Sequence, residues 1–555
     1  MTQWFVNNPV KTILLAGIFI FLLHLNILPV TIMEARNFIT AREMVLDDNW
    51  LLTTMNGLPR YEKPPLPTWF TALCGKFFGL TNLYGLRLPT ALMAILTALI
   101  VYRFSLKLTR DKQQSLINGL IFITSFYIIA ITNEAPWDIY AHGFMLMAIY
   151  FFYALFTDKT KIWRNVTLAA LFTGFSFLSK GPVSLYALFL PFLLSYGFTY
   201  GFKEFKLIRF PLIVCILISI IMSIWWFWYV RMADPDSFLE IAQKETGNWS
   251  SYNVRPFYYY WSFFAQSGVW TVLAFSGLFY PVFRKKVIHP KAYLFAFLWT
   301  VLSVILLSLI PEKKTRYLSP VLIPLAINTG IYVLYFIRQF NQLNSWGEKI
   351  PIYLHYILIA IIGLAFPIGG YIFLEKMASQ PDKWIWFSFT ALALVVISAG
   401  IIYFLIKKNL FKVFFLNIAF IMAITSLGLP LADALKTNEA YNNIQGLRKE
   451  KPINIPVFYF GEIAPEMLWY YGGVINDMEM ANSKKTINEL DVFTVLVNPN
   501  EDDRFKRIFE TNYDVSLLET YDLNFAASPG NKKHKSRLVS NYYQIKKKIK
   551  TKDGN

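Results

Sequence analysis

The chain has 555 residues, of which 55% are hydrophobic, 18% are aromatic and only 16% are charged. A soluble protein of this length would interrupt its apolar runs more often with charge, so the composition excludes an ordinary soluble enzyme. The net charge of +18 would suit a nucleic-acid-binding protein, but much of it lies in short loops between apolar runs. Such loops use lysine and arginine to set the orientation of a membrane protein, so we expect no nucleic-acid partner.

Apolar runs close to the length of a bilayer-spanning helix recur along the first 430 residues. A helix needs about 20 apolar residues to cross the hydrocarbon core. The bilayer offers backbone polar groups no partner outside a helix or a closed barrel. The sequence therefore predicts an all-α polytopic membrane protein with about 13 transmembrane helices. The predicted spans are 12–31, 84–102, 114–131, 139–157, 162–178, 183–199, 209–230, 262–283, 291–309, 318–337, 352–375, 385–406 and 412–430.

The charges between these runs predict an orientation. The first run begins after Lys11 with no small-residue cleavage site behind it, so we interpret it as a retained helix rather than a signal peptide. The loop after every second span is rich in lysine and arginine, which places these loops and the N-terminus in the cytoplasm. Residues 32–83 and everything after about 431 then face the outside. This assignment requires the segment 66–79 to lie flat at the membrane interface.

The first outer loop, 32–83, places many charges close together, beginning with MEARNFITAREM at 33–44. If 33–47 is helical, the 3.6-residue period separates a charged face from an apolar face, and the helix is predicted to lie along the membrane surface. The charged face holds Arg36, Thr40, Glu43 and Asp47, and the apolar face holds Phe38, Ala41 and Val45.

Glu34 is an acid on the apolar face of this predicted helix, one turn before Phe38. It can cap the helix N-terminus, where negative charge is favoured. It can also point into a cavity of the protein. The sequence leaves both interpretations open.

The same loop contains RYEKPPLPTW at 60–69, in which Lys63 precedes two prolines. Pro64 and Pro65 bar a helix and favour an extended backbone, so Lys63 is held on a stiff segment. Its ammonium either extends to lipid headgroups or belongs to a functional site.

Asp138 stands at the outer mouth of a predicted span, with His142 one turn deeper. Ionisable residues at membrane depth are costly and mark candidate functional sites. We interpret His142 as a partner of Asp138 or a satisfied core histidine rather than a metal ligand. The outer loops contain no histidine and carboxylate cluster of ligand spacing. We therefore expect no tightly bound metal and no cofactor.

Cations occur in three further outer loops. Lys180 lies in the tight turn FLSKGP, Arg255 opens RPFYYYW, and Arg316 and Tyr317 lie in IPEKKTRYLSP. Each of these charges could simply set topology or contact a headgroup. Together they predict a site for a phosphate or pyrophosphate anion at the membrane boundary, where arginine offers bidentate contacts and lysine a point charge.

Residues 431–555 change in composition, which divides the chain into a membrane domain, 1–430, and a second domain outside the membrane. Runs at 456–460 and 492–497 are typical of strands, and 502–510 is typical of a helix. We expect a small α/β domain with a basic, flexible tail from Lys546.

In order along the chain, MEARNFITAREM, NGLPRYEKPPLPTW, the outer-mouth Asp138, FLSKGP, RPFYYYW and KKTRYLSPVLIPLAI resemble the bacterial lipid A aminoarabinose transferases. These are polyprenyl-phosphate-sugar transferases related to the protein O-mannosyltransferases. The resemblance covers roughly residues 10–330. It implies the multispan C-type glycosyltransferase fold and an active site on the periplasmic face of the inner membrane.

The resemblance also assigns residues to the phosphate of the lipid carrier. The implied contacts are Lys63 and Lys180, with Arg36, Arg255 and Arg316 as helpers and Tyr317 beside the same phosphate.

One position departs from the family pattern, which usually reads Asp-Glu-x-Arg where this chain has Met33, Glu34, Ala35 and Arg36. The first acid is the one usually held catalytic, so Glu34 or Asp138 takes that role or no base is needed. A phosphate acceptor is already anionic and has no proton to remove, unlike a hydroxyl acceptor. We therefore expect Glu34 to orient Arg36 and the acceptor, and Asp138 to support the site electrostatically.

Three functions are compatible with these observations. The resemblance implies transfer of a sugar from a polyprenyl-phosphate carrier to lipid A or a similar periplasmic acceptor. An enzyme of the same fold could instead glycosylate a protein or a surface polysaccharide. A lipid or solute transporter is disfavoured, because the chain shows no internal repeat and its charges gather at loop mouths rather than at mid-membrane positions.

Overall fold

Helices form from the apolar stretches over most of the chain. The computed structural model describes residues 2–134, 136–158, 160–202, 205–343, 345–377, 381–450, 455–479 and 490–548. Its α-helices are α1 (Thr2–Asn7), α2 (Pro9–Gly17), α3 (Ile32–Leu46), α4 (Leu66–Phe78), α5 (Leu83–Thr109), α6 (Lys112–Ile123), α7 (Phe126–Glu134), α8 (Pro136–Thr157), α9 (Ile162–Lys180), α10 (Leu190–Tyr200), α11 (Phe205–Ala233), α12 (Pro235–Ser251), α13 (Thr271–Gly277), α14 (Tyr280–Phe283), α15 (Pro290–Leu309), α16 (Leu322–Gln339), α17 (Trp346–Met377), α18 (Pro381–Ile406), α19 (Leu410–Ala423), α20 (Leu447–Glu450), α21 (Pro465–Tyr471) and α22 (Asp502–Phe509).

Within the described residues, eight helical segments are long and apolar enough to cross a membrane, and α6 with the start of α7, bent by 53°, would make a ninth. The protein is therefore a polytopic helical membrane protein, as predicted, whereas the count of 13 spans stays a prediction. The eight segments are Leu83–Thr109, Pro136–Thr157, Lys206–Ala233, Pro290–Leu309, Thr315–Gln342, Trp346–Leu374, Pro381–Ile406 and Leu410–Leu435. Helix α4 forms within the predicted interfacial segment 66–79. It has only 13 residues and is too short to span a bilayer.

Besides 114–131, two further predicted spans are not continuous helices. In 262–283 a 3₁₀ segment, Phe263–Trp270, is followed by the short helices α13 and α14. Gly268 inside it has φ 66°, and a side chain there would overlap Phe126. In 12–31 the helix gives way to a π turn that ends at Leu22. The guanidinium of Arg87 in α5 donates hydrogen bonds to the backbone carbonyl oxygens of Leu25, Leu28 and Pro29. In a continuing helix these oxygens would accept from backbone N–H groups one turn further on.

The helix predicted at 33–47 forms as α3, but its predicted charged face is covered by protein and does not face water, while its position along the membrane surface stays a prediction. Thr40 and Glu43, on the expected charged face, are only 2% and 3% exposed. Helix α4 packs on one side of α3 and α21 of the C-terminal domain on another. The rings of Phe38 and Trp469 lie 5.2 Å apart across that second contact. The second domain therefore covers a helix that would otherwise face water.

The C-terminal domain contains the predicted strands and helix around a five-stranded sheet. The strands are β3 (Val457–Phe460), β4 (Asn476–Asp477), β5 (Val492–Val497), β6 (Tyr513–Asp522) and β7 (Val539–Lys547), in the order β4-β3-β5-β7-β6, while β1 (Thr54–Met55) and β2 (Leu58–Pro59) form a separate hairpin. Strand β3 runs parallel to β4 and β5, and β7 runs antiparallel to β5 and β6. The tail predicted from Lys546 starts too early, because Lys546 pairs with Val492 and Asp514. Residues 549–555 lie outside the described residues.

Glu34 caps α3 and also joins it to α5. Its carboxylate accepts from the backbone N–H of Thr31 at 3.1 Å, which confirms the capping interpretation. The same two oxygens accept from Nε and Nη2 of Arg87 at 2.7 and 2.9 Å, and both side chains are at most 2% exposed. The pair fixes α3 against the membrane helices.

We predict that Arg87→Met lowers the free energy of unfolding by about 3–5 kcal/mol, because Glu34 is left buried without its counter-charge. Arg504→Met is the matched control, since Arg504 pairs with Glu479 and Glu501 at the exposed surface of the C-terminal domain and should cost no more than about 1 kcal/mol. Thermal unfolding of the purified variants measures both. Equal unfolding midpoints would contradict the role given to Glu34 and Arg87.

Candidate active site

Asp138 and Lys180 form a buried ion pair at one end of the helix pair α8 and α9. Asp138 lies in the first turn of α8 and Lys180 is the last residue of α9, so the antiparallel packing of the two helices brings them together. Lys180 Nζ donates to Asp138 Oδ1, and the side chains are 10% and 3% exposed. His142 Nε2 lies 3.6 Å from the same oxygen, and His142 Nδ1 lies 2.9 Å from Ser184 Oγ. His142 is thus a partner of Asp138, as predicted.

Tyr317 and Arg316 adjoin this pair from the 3₁₀ segment Thr315–Val321. Lys180 Nζ lies 5.3 Å from the centroid of the Tyr317 ring, and the Arg316 guanidinium carbon lies 5.9 Å from it. The Tyr317 hydroxyl donates to Glu312 at 3.0 Å, and Lys314 forms an ion pair with Glu312 at 2.6 Å. Nε of Arg316 is buried and has no hydrogen-bond partner among the described residues.

Arg60 joins the first outer loop to α3 and α8. Its Nη1 donates to the Arg36 carbonyl at 3.2 Å and to Thr40 Oγ1 at 2.9 Å, and its guanidinium lies 5.3 Å from the ring centroid of Trp137. Burial lowers the pKa of Arg60 to about 10, with the charge of Arg36 adding to the effect and that of Glu62 opposing it. Trp137 directly precedes Asp138, so Arg60 links the backbone of Arg36 to the start of α8. Nε of Arg36 is also buried without a partner among the described residues.

Lys63 lies between Arg60 and α4 on a segment that bends at residues 62, 63 and 65, whereas Pro64 and Pro65 predicted an extended backbone. Its ammonium donates to Glu245 of α12 at 3.2 Å and to the carbonyl of Glu62 at 3.1 Å. The charges of Lys63 and Arg316 both act on Lys180, which places the three cations around one region.

Two of the candidate residues differ from expectation. Glu34 contacts Arg87 and does not form the expected contact with Arg36, because both of its carboxylate oxygens are occupied. The side chain of Arg255 is exposed, and its backbone is tied to the loop at 310–314. Lys313 makes that tie, since its ammonium donates to the carbonyls of Arg255 and Ile310 at 3.0 and 2.6 Å. Burial lowers the pKa of Lys313.

Sequence reasoning did not find Arg60, Arg87, Glu245 or Glu312. Each of them acts through a contact that depends on the fold, such as Arg87 with Glu34 or Glu245 with Lys63. An arginine within an apolar run was the one available signal, because a charge at position 87 is costly unless it is paired. Among the described residues no group of three or more histidine, cysteine, aspartate or glutamate side chains could hold a metal ion.

Residues 62–228 match the family described as dolichyl-phosphate-mannose-protein mannosyltransferase. The undecaprenyl phosphate-alpha-4-amino-4-deoxy-L-arabinose arabinosyl transferase 2 of Proteus mirabilis is 25% identical over 317 residues, covering 56% of each chain. Transferase 1 of the same description from Pseudomonas fluorescens is 26% identical over 307 residues, covering 54% of each. Over about half of its length the chain is therefore similar in sequence to the aminoarabinose transferases.

The chain spans about half the length of the curated relatives that it matches. The crystal structure of ArnT from Cupriavidus metallidurans bound to undecaprenyl phosphate is 15% identical, with a TM-score of 0.67 over 98% of both chains. The predicted fold class is therefore confirmed over nearly the whole chain, including the small C-terminal sheet domain.

We predict that Asp138→Asn destabilises the protein by about 3–5 kcal/mol, because the Lys180 ammonium is then buried without a counter-charge. Adding Lys180→Met to this variant should recover part of the loss, since the remaining site is uncharged. The unfolding midpoints of the single and double variants test this. Asp111→Asn with Arg338→Met, a more exposed pair, is the control that should show no recovery. Losses at Asp138 and Lys180 that simply add would contradict the prediction.

Proposed function

We propose that this chain is an inner-membrane glycosyltransferase that moves a sugar from a polyprenyl-phosphate carrier to lipid A or a similar phosphate-bearing lipid on the periplasmic face. The observation that carries the proposal is the cation cluster formed by Lys180, Arg316 and Lys63, with Arg36 on helix α3 tied to Arg60. Nε of Arg316 and Nε of Arg36 are each buried without a partner among the described residues, and a buried donor left unpaired is costly. A phosphate oxygen supplies the missing acceptor and the matching charge.

The comparisons support the carrier. The fold is that of ArnT from Cupriavidus metallidurans, whose crystal structure contains undecaprenyl phosphate. The relatives from Proteus mirabilis and Pseudomonas fluorescens are described as transferases that use an undecaprenyl phosphate-linked aminosugar. Under this proposal Lys63, Lys180 and Arg316 bind the carrier phosphate, and Tyr317 and Arg255 lie at its edge.

The acidic residues favour an acceptor that needs no general base. Both oxygens of Glu34 accept from Arg87, and Oδ1 of Asp138 accepts from Lys180, so these buried contacts disfavour a role for either carboxylate as a general base. A base must reach the proton that it removes. We propose that Asp138 positions Lys180 and that Glu34 is structural, which replaces the role in acceptor orientation expected for Glu34 from the sequence.

The reaction then proceeds as one displacement. A phosphate oxygen of the acceptor forms a bond to the anomeric carbon of the sugar while the bond from that carbon to the carrier phosphate oxygen breaks. Lys180, Arg316 and Lys63 stabilise the negative charge that develops on the departing phosphate. A single displacement inverts the anomeric centre.

Glycosylation of a protein is the second candidate, because the family matched by residues 62–228 is described as a protein mannosyltransferase. A serine or threonine acceptor needs a base to remove its proton. The pairing of Asp138 and Glu34 therefore favours the phosphate acceptor.

Mass spectrometry of intact lipid A from cells with and without this gene tests the proposal. We expect a phosphate-linked sugar that is present with the wild-type chain and is lost with Arg316→Met, because removing one such donor slows transfer about 100-fold or more. Arg316 forms no ion pair among the described residues, so its removal strands no partner, and Arg338→Met, whose side chain pairs with Asp111 instead, is the control that should keep the modification. Unchanged lipid A in wild-type cells would contradict the proposed acceptor and direct the search to glycoproteins and polysaccharides.

A further inference from the structure

Lys63, one of the cations proposed to bind the carrier phosphate, forms an ion pair with the carboxylate of Glu245. Glu245 Oε2 of α12 lies 3.2 Å from Lys63 Nζ, and the two side chains are 39% and 26% exposed. The charge of Glu245 also acts on Arg60, three residues before Lys63. Glu245 therefore occupies a position where a phosphate oxygen would otherwise contact Lys63.

The position of Glu245 is fixed by the packing of its helix. Phe238 and Ile241 of α12 pack against the core of the membrane domain. Immediately before the helix, Asp234 accepts from the Tyr61 hydroxyl at 2.9 Å. Tyr61 lies two residues before Lys63, so this hydrogen bond anchors α12 to the same segment, residues 60–65, that carries Lys63. The contact is thus part of how α12 docks and does not depend on two freely moving surface side chains.

We propose that Glu245 is an internal competitor for Lys63 that weakens the binding of the released carrier phosphate and so favours its departure. This inference rests on the proposed function. It adds a residue that controls product release to the set that binds the substrate.

The charges of substrate and product explain why a competitor such as Glu245 would assist product release. The donor is a phosphate diester with one negative charge. When its bond to the sugar breaks, the carrier becomes a phosphate monoester with a charge of about −1.5 to −2 at neutral pH. A cluster of lysine and arginine side chains holds that product more strongly than the donor. A carboxylate beside Lys63 offsets this stronger binding of the product, because the ion pair with the Lys63 ammonium re-forms as the product leaves.

Binding of undecaprenyl monophosphate to the purified full-length chain in lipid nanodiscs tests the inference. Glu245→Gln should bind it about two- to fivefold more tightly, the range expected for removing a partly exposed ion pair. Glu240→Gln is the matched control, because Glu240 is an exposed acid of the same helix and should leave the affinity unchanged. In a Lys63→Met background, Glu245→Gln should have no effect, since the group for which it competes is gone.

Two results would overturn the inference while leaving the proposed function in place. One is wild-type binding that Lys63→Met weakens and Glu245→Gln leaves unchanged. The other is equal tightening by Glu245→Gln with and without Lys63, which would indicate a general charge effect. Failure of the wild-type chain to bind undecaprenyl monophosphate would instead overturn the proposed function, and the inference with it.

Discussion

The ion pair of Asp138 and Lys180 is the interaction on which the candidate site depends. Charges at the edge of a bilayer are costly unless they are paired, and this pair lies where α8 and α9 meet. The aromatic ring of Tyr317 then packs beside Lys180, and the loop that carries Tyr317 is fixed by Lys313 and Glu312. The same contact engages Oδ1 of Asp138, and under the proposed function this carboxylate positions Lys180 rather than removing a proton.

Burial of the first outer loop has a similar effect on α3. Glu43, which was expected to face water, accepts hydrogen bonds from Asn56, Gly57 and Thr54 and so holds the hairpin of β1 and β2. Arg60 directly follows that hairpin, and its guanidinium donates to the Arg36 carbonyl and packs on the Trp137 ring. Arg60 is thus held against the start of α8 by carbonyl and hydroxyl acceptors of α3, and the C-terminal domain packs on α3 as well.

Local patterns in the sequence predicted much of this fold. Apolar runs located the long helices, and the short strand-like runs at 456–460 and 492–497 located β3 and β5, because these signals depend on a few neighbouring residues. The position of α3 could not be predicted, since what covers it is a domain more than 400 residues away, through residues such as Trp469. The break near 23–31 depends on Arg87 in another helix. Glu34 illustrates both cases, because its capping role is local whereas its ion pair is not.

We propose that the site supplies cations to a departing phosphate and relies on an acceptor that carries its own negative charge. Transfer by the purified chain from a polyprenyl-phosphate-linked sugar should be compared between lipid A and the same lipid A after its phosphates have been removed. We expect transfer to the phosphorylated lipid and a rate at least about 100-fold lower without the phosphates, since Glu34 and Asp138 are both engaged by buried cations and a hydroxyl acceptor would need a base. Equal rates with both acceptors would contradict it.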